Sequence, residues 1–125
     1  MVITQERILV IEDEADISLS MKARLEAAGY EVQTALDGAE GISQAMERQP
    51  DLVILDVRLP DMGGYEVCQE LRKRYEYAAL PILMFTVMDG LNDDIHGLAA
   101  GANAYLTKSC APAELLECVN QLLRD

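Results

Sequence analysis

The chain has 125 residues, 22 of them Asp or Glu against 10 Lys or Arg, for a formal net charge of −12. That length fits a single domain spanning 1–125, with a core over about residues 7–124 and no separate effector domain; it can bury roughly two-thirds of its unfolded surface without disulfides or a structural metal. The charge repels phosphate backbones, so no direct nucleic-acid binding is expected.

Cys68, Cys110 and Cys118 are odd in number and lack the paired spacing of a zinc or redox motif, so they are expected to stay reduced. No charged-then-apolar leader opens the sequence, and its apolar runs fall far short of the roughly 18 to 20 residues of a membrane span. A cytoplasmic protein without membrane insertion is the expectation.

In chain order, strands are predicted over Arg7 to Ile11, Glu31 to Ala35, Leu52 to Leu55, Ile82 to Phe85 and Ala104 to Leu106. Helical periodicity fills the gaps between them. The first helix, Ala15 to Ala28, places Ile17, Met21, Leu25 and Ala28 on one face and stops at Gly29, which suits a left-handed C-cap. Asp37 caps a second helix that ends before Pro50, and Gly63-Gly64 opens a third that closes on Arg72-Lys73-Arg74. These cations suit the negative end of the helix dipole and are expected to stay solvated. Asp89 to Asn92 leads into a fourth helix, and Pro112 starts a fifth that carries Leu115, Leu116, Val119 and Leu122-Leu123.

Strand and helix alternating five times predict an α/β doubly wound, flavodoxin-like fold. Its five-stranded parallel sheet, with helices on both faces, is expected in the order 2-1-3-4-5. That order makes the first and third strands neighbours. Glu12, Asp13 and Asp56 then converge at the carboxyl edge, where open α/β sheets place their ligands.

Glu12, Asp13 and Glu14 alone also fit solvated acids at the positive end of a helix. Asp56 is different, because it follows the apolar run Leu52-Val53-Ile54-Leu55 at the mouth of a buried strand. Two carboxylates about 6 Å apart repel by roughly 3 kcal/mol at an effective dielectric near 20, so the cluster calls for a cation. Mg²⁺, with its preference for oxygen ligands, is the expected cofactor. Asp56 is a candidate nucleophile toward phosphoryl groups, Lys108 a neutralising point charge, and Thr86 a hydroxyl donor at the end of the fourth strand.

These segments resemble the receiver domains of two-component response regulators. The resemblance rests on Ile8 to Glu14, Asp37-Gly38, Asp51 to Gly64, Phe85-Thr86 and Gly101 to Lys108. It implies that Asp56 accepts a phosphoryl group from a histidine kinase or phosphotransfer protein. Asp13 and Asp56 would bind Mg²⁺ directly, Glu12 through water, and Arg58 by its backbone carbonyl. Thr86 and Tyr105 resemble the switch pair of that family, with output through the fourth helix, fifth strand and fifth helix, including Leu91, Ile95, Ala99, Tyr105 and Leu115. A downstream protein, or an effector domain beyond this chain, would receive the signal.

Three places depart from the family pattern. Ser109 stands where a cis-bonded proline is usual, and a cis Lys108–Ser109 bond would cost about 2.5 to 4 kcal/mol, so a trans bond or a rearranged loop is expected. Val87, followed by Met88, replaces a small residue after the switch threonine, which predicts slow reaction with small phosphodonors. Ile95 and Asn103-Ala104 lack the charges used in the dimers of winged-helix regulators. His96, the sole histidine, is expected to be a surface or packing residue rather than a phosphodonor.

A haloacid-dehalogenase-like phosphatase would need an acid two positions after Asp56, where Arg58 stands. A flavodoxin-like electron carrier would need a phosphate-cradling first loop, and Glu12-Asp13-Glu14 would repel that ligand. The alternative that remains is a pseudo-receiver, the same fold serving as a phosphorylation-independent interaction module.

Overall fold

The computed structural model describes residues 5–76, 79–86 and 101–124. The predicted fourth helix with Leu91, Ile95 and Ala99, together with Val87, Met88 and His96, lies outside the described residues. Five strands form one parallel sheet: β1 (Arg7–Ile11), β2 (Glu31–Ala35), β3 (Leu52–Leu55), β4 (Ile82–Thr86) and β5 (Ala104–Thr107). Their order is β2-β1-β3-β4-β5, as expected. The strands β4 and β5 each run one residue beyond the prediction, because Thr86 pairs with Thr107 at their carboxyl ends.

Alternation along the buried strands sends side chains to two cores. Leu9, Ile11, Val53, Leu55, Ile82 and Met84 face one side, where they meet Ala45 of α2 (Gly38–Glu47) and Val67, Cys68 and Leu71 of α3 (Gly64–Arg72). Ile8, Val10, Leu52, Ile54, Leu83 and Phe85 face the other side. They meet Met21 and Leu25 of α1 (Ala15–Ala27), and Leu115 and Val119 of the C-terminal helix (Pro112–Arg124).

The helix ends follow the sequence grammar, with two differences. Gly29 has φ of 101°, a left-handed conformation that favours glycine, and its N–H donates to the Glu26 carbonyl. On α1, Ser18 rather than Ala28 joins the buried face, Ala28 being the exposed C-cap that follows the last helical residue. At the end of α3, Arg72 is not a free solvated cation. Its guanidinium donates to the carbonyls of Gly101 (2.9 Å) and Leu80 (2.7 Å) and to Asn103 Oδ1 (2.6 Å). Lys73 does stay on the surface, paired with Glu70.

Among the described residues, no helix is long and apolar enough to cross a membrane.

Candidate functional site

The register between β1 and β3 pairs Ile11 with Leu55, so Glu12 and Asp56 leave the sheet side by side. Two backbone bonds fix this mouth: the Asp56 N–H donates to the Ile11 carbonyl and the Glu12 N–H to the Ala35 carbonyl of β2, both at 3.0 Å. Carboxylate oxygens of Glu12, Asp13 and Asp56 lie within 4.8 Å of one another. Glu12 and Asp56 are buried, at 2% and 5% exposure, whereas Asp13 is open to solvent.

Lys108, in the turn after β5, reaches back into this cluster. Its Nζ lies 2.5 Å from Glu12 Oε1 and 3.0 Å from Asp56 Oδ2, with the lysine side chain only 9% exposed. The other Asp56 oxygen, Oδ1, accepts the backbone N–H of Arg58 at 3.2 Å. Asp56 is thus held at both oxygens. Glu12 Oε2 accepts the Glu14 N–H, which substitutes for a side-chain cap at the start of α1.

Burial pushes the Glu12 carboxyl up to about 7, against the opposing pull of its hydrogen bond to Lys108. Burial disfavours the Lys108 ammonium, but its bonds to Glu12 and Asp56 outweigh that and raise its affinity for the proton. Lys108 therefore remains a cation at neutral pH. With the carboxylates ionised, three negative charges and one ammonium leave two uncompensated, in a pocket of hard oxygen donors. This donor set fits Mg²⁺, which neither thiols nor imidazoles would favour here.

Thr86 is fully buried at the end of β4, and its carbonyl accepts the Lys108 N–H at 2.6 Å, coupling the two strand ends. Tyr105 pairs in register with Met84 and packs half-buried against the core on the α2–α3 side. The Lys108–Ser109 bond is trans, since the described chain contains no cis peptide. Ser109 instead exchanges a 2.8 Å hydrogen bond with the Thr107 hydroxyl, and Lys108 reaches Asp56 from this turn.

The structure brings together every expected residue of the acidic cluster and its lysine. One contributor carried no role in the sequence reading. Asp61 accepts the N–H groups of Gly38 (2.8 Å) and Ala39 (2.9 Å) at the start of α2. Asp37 and Gly38 were visible as a helix start, but nothing local in the sequence points to a second acceptor 23 residues downstream.

The sequence profile described as "Response regulator receiver domain" matches residues 8–120. Over 118 residues the chain is 45% identical to the DNA-binding dual master transcriptional regulator RpaA of Synechocystis sp., covering 94% of this chain and 49% of that protein. It is 42% identical over 119 residues to the alkaline phosphatase synthesis transcriptional regulatory protein PhoP of Bacillus subtilis, covering 95% and 49%. The chain therefore spans about half the length of these curated relatives. The crystal structure of a CheY-like receiver domain protein from Methanospirillum hungatei superposes with a TM-score of 0.91 at 33% identity, covering 97% of this chain and 95% of that one. A sheet of this order, an acidic cluster at its β1–β3 mouth and a match over nearly the whole length agree: the chain belongs to the response regulator receiver domains, which signal by phosphorylation of an aspartate.

Proposed function

We propose that Asp56 is the phosphoacceptor of a single receiver domain, taking its phosphoryl group from a phosphohistidine. The observation that carries this reading is the position of Asp56: buried behind β3, gripped by Lys108 at Oδ2 and by the Arg58 N–H at Oδ1, and within the carboxylate cluster. One Asp56 oxygen attacks phosphorus, the P–N bond to the imidazole breaks, and the donor histidine keeps the bonding pair and takes a proton. Asp13 and Asp56 would hold Mg²⁺ directly, with Glu12 through water and the Arg58 carbonyl completing the oxygen set. When bound, Mg²⁺ neutralises charge on the phosphoryl oxygens. Lys108, poised beside Asp56, neutralises another share.

The phosphoryl adds about −1.5 to −2 charges and three acceptor oxygens. In this reading the Thr86 hydroxyl turns toward them, and Tyr105 packs further into the space released. Only such differential contacts shift a two-state equilibrium. The changed surface is the face of β5 and the C-terminal helix; Leu115, expected on that surface, is instead buried against the sheet. The catalysis is confined to the domain's own phosphotransfer and dephosphorylation. Family membership implies histidine kinases or phosphotransfer proteins as partners; output passes to a downstream protein or to an effector domain, in line with the transcriptional regulators whose length this chain half spans.

The test is phosphorylation by a broad-specificity histidine kinase and by acetyl phosphate, followed by intact mass. A single adduct that requires both Mg²⁺ and Asp56, and is lost in Asp56→Asn, is expected. No adduct from either donor would leave the pseudo-receiver reading in its place.

A further inference from the structure

The loop between β3 and α3 supplies both the Arg58 N–H on Asp56 and the Arg58 carbonyl assigned to the cation. It is largely exposed: Arg58, Pro60 and Asp61 all face solvent. Its base is closed by an antiparallel bridge between Arg58 and Gly63 and by the Gly64 N–H donating to the Val57 carbonyl at 2.7 Å. Gly64 allows that closure because a Cβ there would sit 2.2 Å from the Asp56 carbonyl oxygen.

The tip of the loop is fastened elsewhere. Asp61 accepts the first two amides of α2 with its two oxygens, Asp37 Oδ1 accepts the third from Glu40, and the Asp37 carbonyl accepts the fourth from Gly41. Three of the N–H groups that a helix start leaves open are thereby satisfied, two of them by a different loop, and the Gly41 N–H begins the intrahelical ladder. Met62 locks the same junction, since a Cβ on Gly38 would lie 2.5 Å from Met62 Cγ and 2.9 Å from its sulfur.

These contacts close a ring of ties around the acidic cluster. The Glu12 N–H holds Ala35, the chain runs three residues to Gly38, Gly38 holds Asp61, Arg58 holds Asp56, and the Asp56 N–H holds Ile11 next to Glu12. From this ring we infer that Asp61, with Met62 seated under Gly38, is a positioning residue for the cation site, fixing the loop that carries Arg58 against the Glu12–Asp13 cluster. The inference rests on the proposed Mg²⁺ site and adds to it a residue that touches neither cation nor phosphoryl. Leu59 and Met62 pack this loop against the core, and the Asp61 carboxylate adds the polar tie at its tip; losing that tie loosens the loop that carries Arg58 while the acidic ligands stay in place.

The experiment compares Asp61→Ala, Asp61→Asn and Gly38→Ala with the parent chain. Mg²⁺ is titrated while the amide resonances of Arg58 and Gly38 are followed, and thermal midpoints are taken without Mg²⁺. Outer-shell partners of metal ligands typically command about tenfold or more in affinity, so Asp61→Ala is expected to bind Mg²⁺ about tenfold more weakly. Asp61→Asn, which keeps one acceptor oxygen, falls between it and the parent. Gly38→Ala weakens binding by displacing Met62, and a Gly38→Ala/Met62→Ala double variant recovers part of the loss. Asp56 phosphorylation in Asp61→Ala slows at low Mg²⁺ and recovers when Mg²⁺ saturates. Variants that lose thermal stability yet bind Mg²⁺ as the parent does would reduce Asp61 to a helix cap and overturn the inference. A parent that binds no Mg²⁺ would overturn the functional reading itself, and the positioning role with it.

Discussion

Lys108 does opposite things to the resting and the reacting protein. At rest it compensates two buried carboxylates; in the proposed transfer it would face a phosphoryl oxygen as well. Removing it exposes the first role. A Lys108→Met variant leaves Glu12 and Asp56 without their shared cation. Breaking a buried ion pair from one side typically costs about 3 to 5 kcal/mol. Part of that cost is avoided here, because Glu12, already pushed up to about 7, takes a proton. We expect Lys108→Met to lose roughly 2 to 3 kcal/mol in urea unfolding at pH 7 without Mg²⁺; an unchanged midpoint would mean that the ammonium does not sit between the carboxylates in solution. Glu12 and Asp56 were legible in the sequence because each directly follows a buried apolar strand, which fixes both burial and sheet edge, whereas Lys108, after the half-buried β5, was legible only in combination with them and with the family pattern. How Lys108 would fare beside Ser109 was not. The answer depends on the Thr107–Ser109 hydroxyl contact and on the turn it closes, which no propensity encodes.

Elements are tied to one another by side chains whose partners lie far away in sequence, and such ties escape any local reading. Arg72 follows a regular helical pattern and sits in a basic triplet, so its sequence context suggests a solvated cation. In the fold, its planar fork instead spans the ends of α3, β4 and β5 through Leu80, Gly101 and Asn103. A lysine carries the same charge but cannot address three acceptors in fixed directions. Arg72→Lys should therefore destabilise the chain by roughly 2 kcal/mol, the scale of one or two charge-assisted hydrogen bonds. Denaturant midpoints of Arg72→Lys and Lys73→Arg, the latter on the exposed face, make the comparison; equal midpoints would discount the clamp.

Asp61 offers a pH-dependent counterpart at the start of α2. The amides of Gly38 and Ala39 hold its carboxyl below the usual aspartate range. A carboxyl depressed in the folded state contributes stability above its unfolded pKa, and that contribution is lost as pH falls through the folded value. The Asp61 carboxyl resonance should thus titrate below the ordinary aspartate range, with the Gly38 and Ala39 amides moving at the same midpoint. Independent midpoints would show that the contact does not persist in solution.

The whole molecule carries a net charge of −12, and among the described residues Glu12, Asp13 and Asp56 gather closely enough to hold a cation. Apolar runs alternating with helical segments predicted a doubly wound sheet with helices on both faces, and the order usual for so small a fold, 2-1-3-4-5, is the one observed. The energetics of the acidic mouth follow from that topology. Carboxylates 4.8 Å apart repel by about 3.5 kcal/mol at an effective dielectric near 20, and solvent at exposed Asp13 reduces this. Asp13→Asn should therefore stabilise the metal-free chain, by about 1 kcal/mol, at the cost of its ligand. Mg²⁺ acts on the same repulsion from the other side. A ligand at a hundred times its dissociation constant adds about 2.7 kcal/mol to the folded state. With unfolding entropy near 2.1 cal/mol/K per residue, a chain of 125 residues changes by about 0.26 kcal/mol per kelvin. Saturating Mg²⁺ should then raise the parent midpoint by about 10 °C. NaCl at matched ionic strength separates site binding from general screening of the −12 charge, which both salts supply. In the parent, Mg²⁺ should exceed NaCl by most of that shift. In Asp13→Asn the two salts should nearly coincide, from a higher metal-free starting point. If Mg²⁺ and NaCl stabilise the parent equally, the acidic cluster is a charged surface and not a cation site.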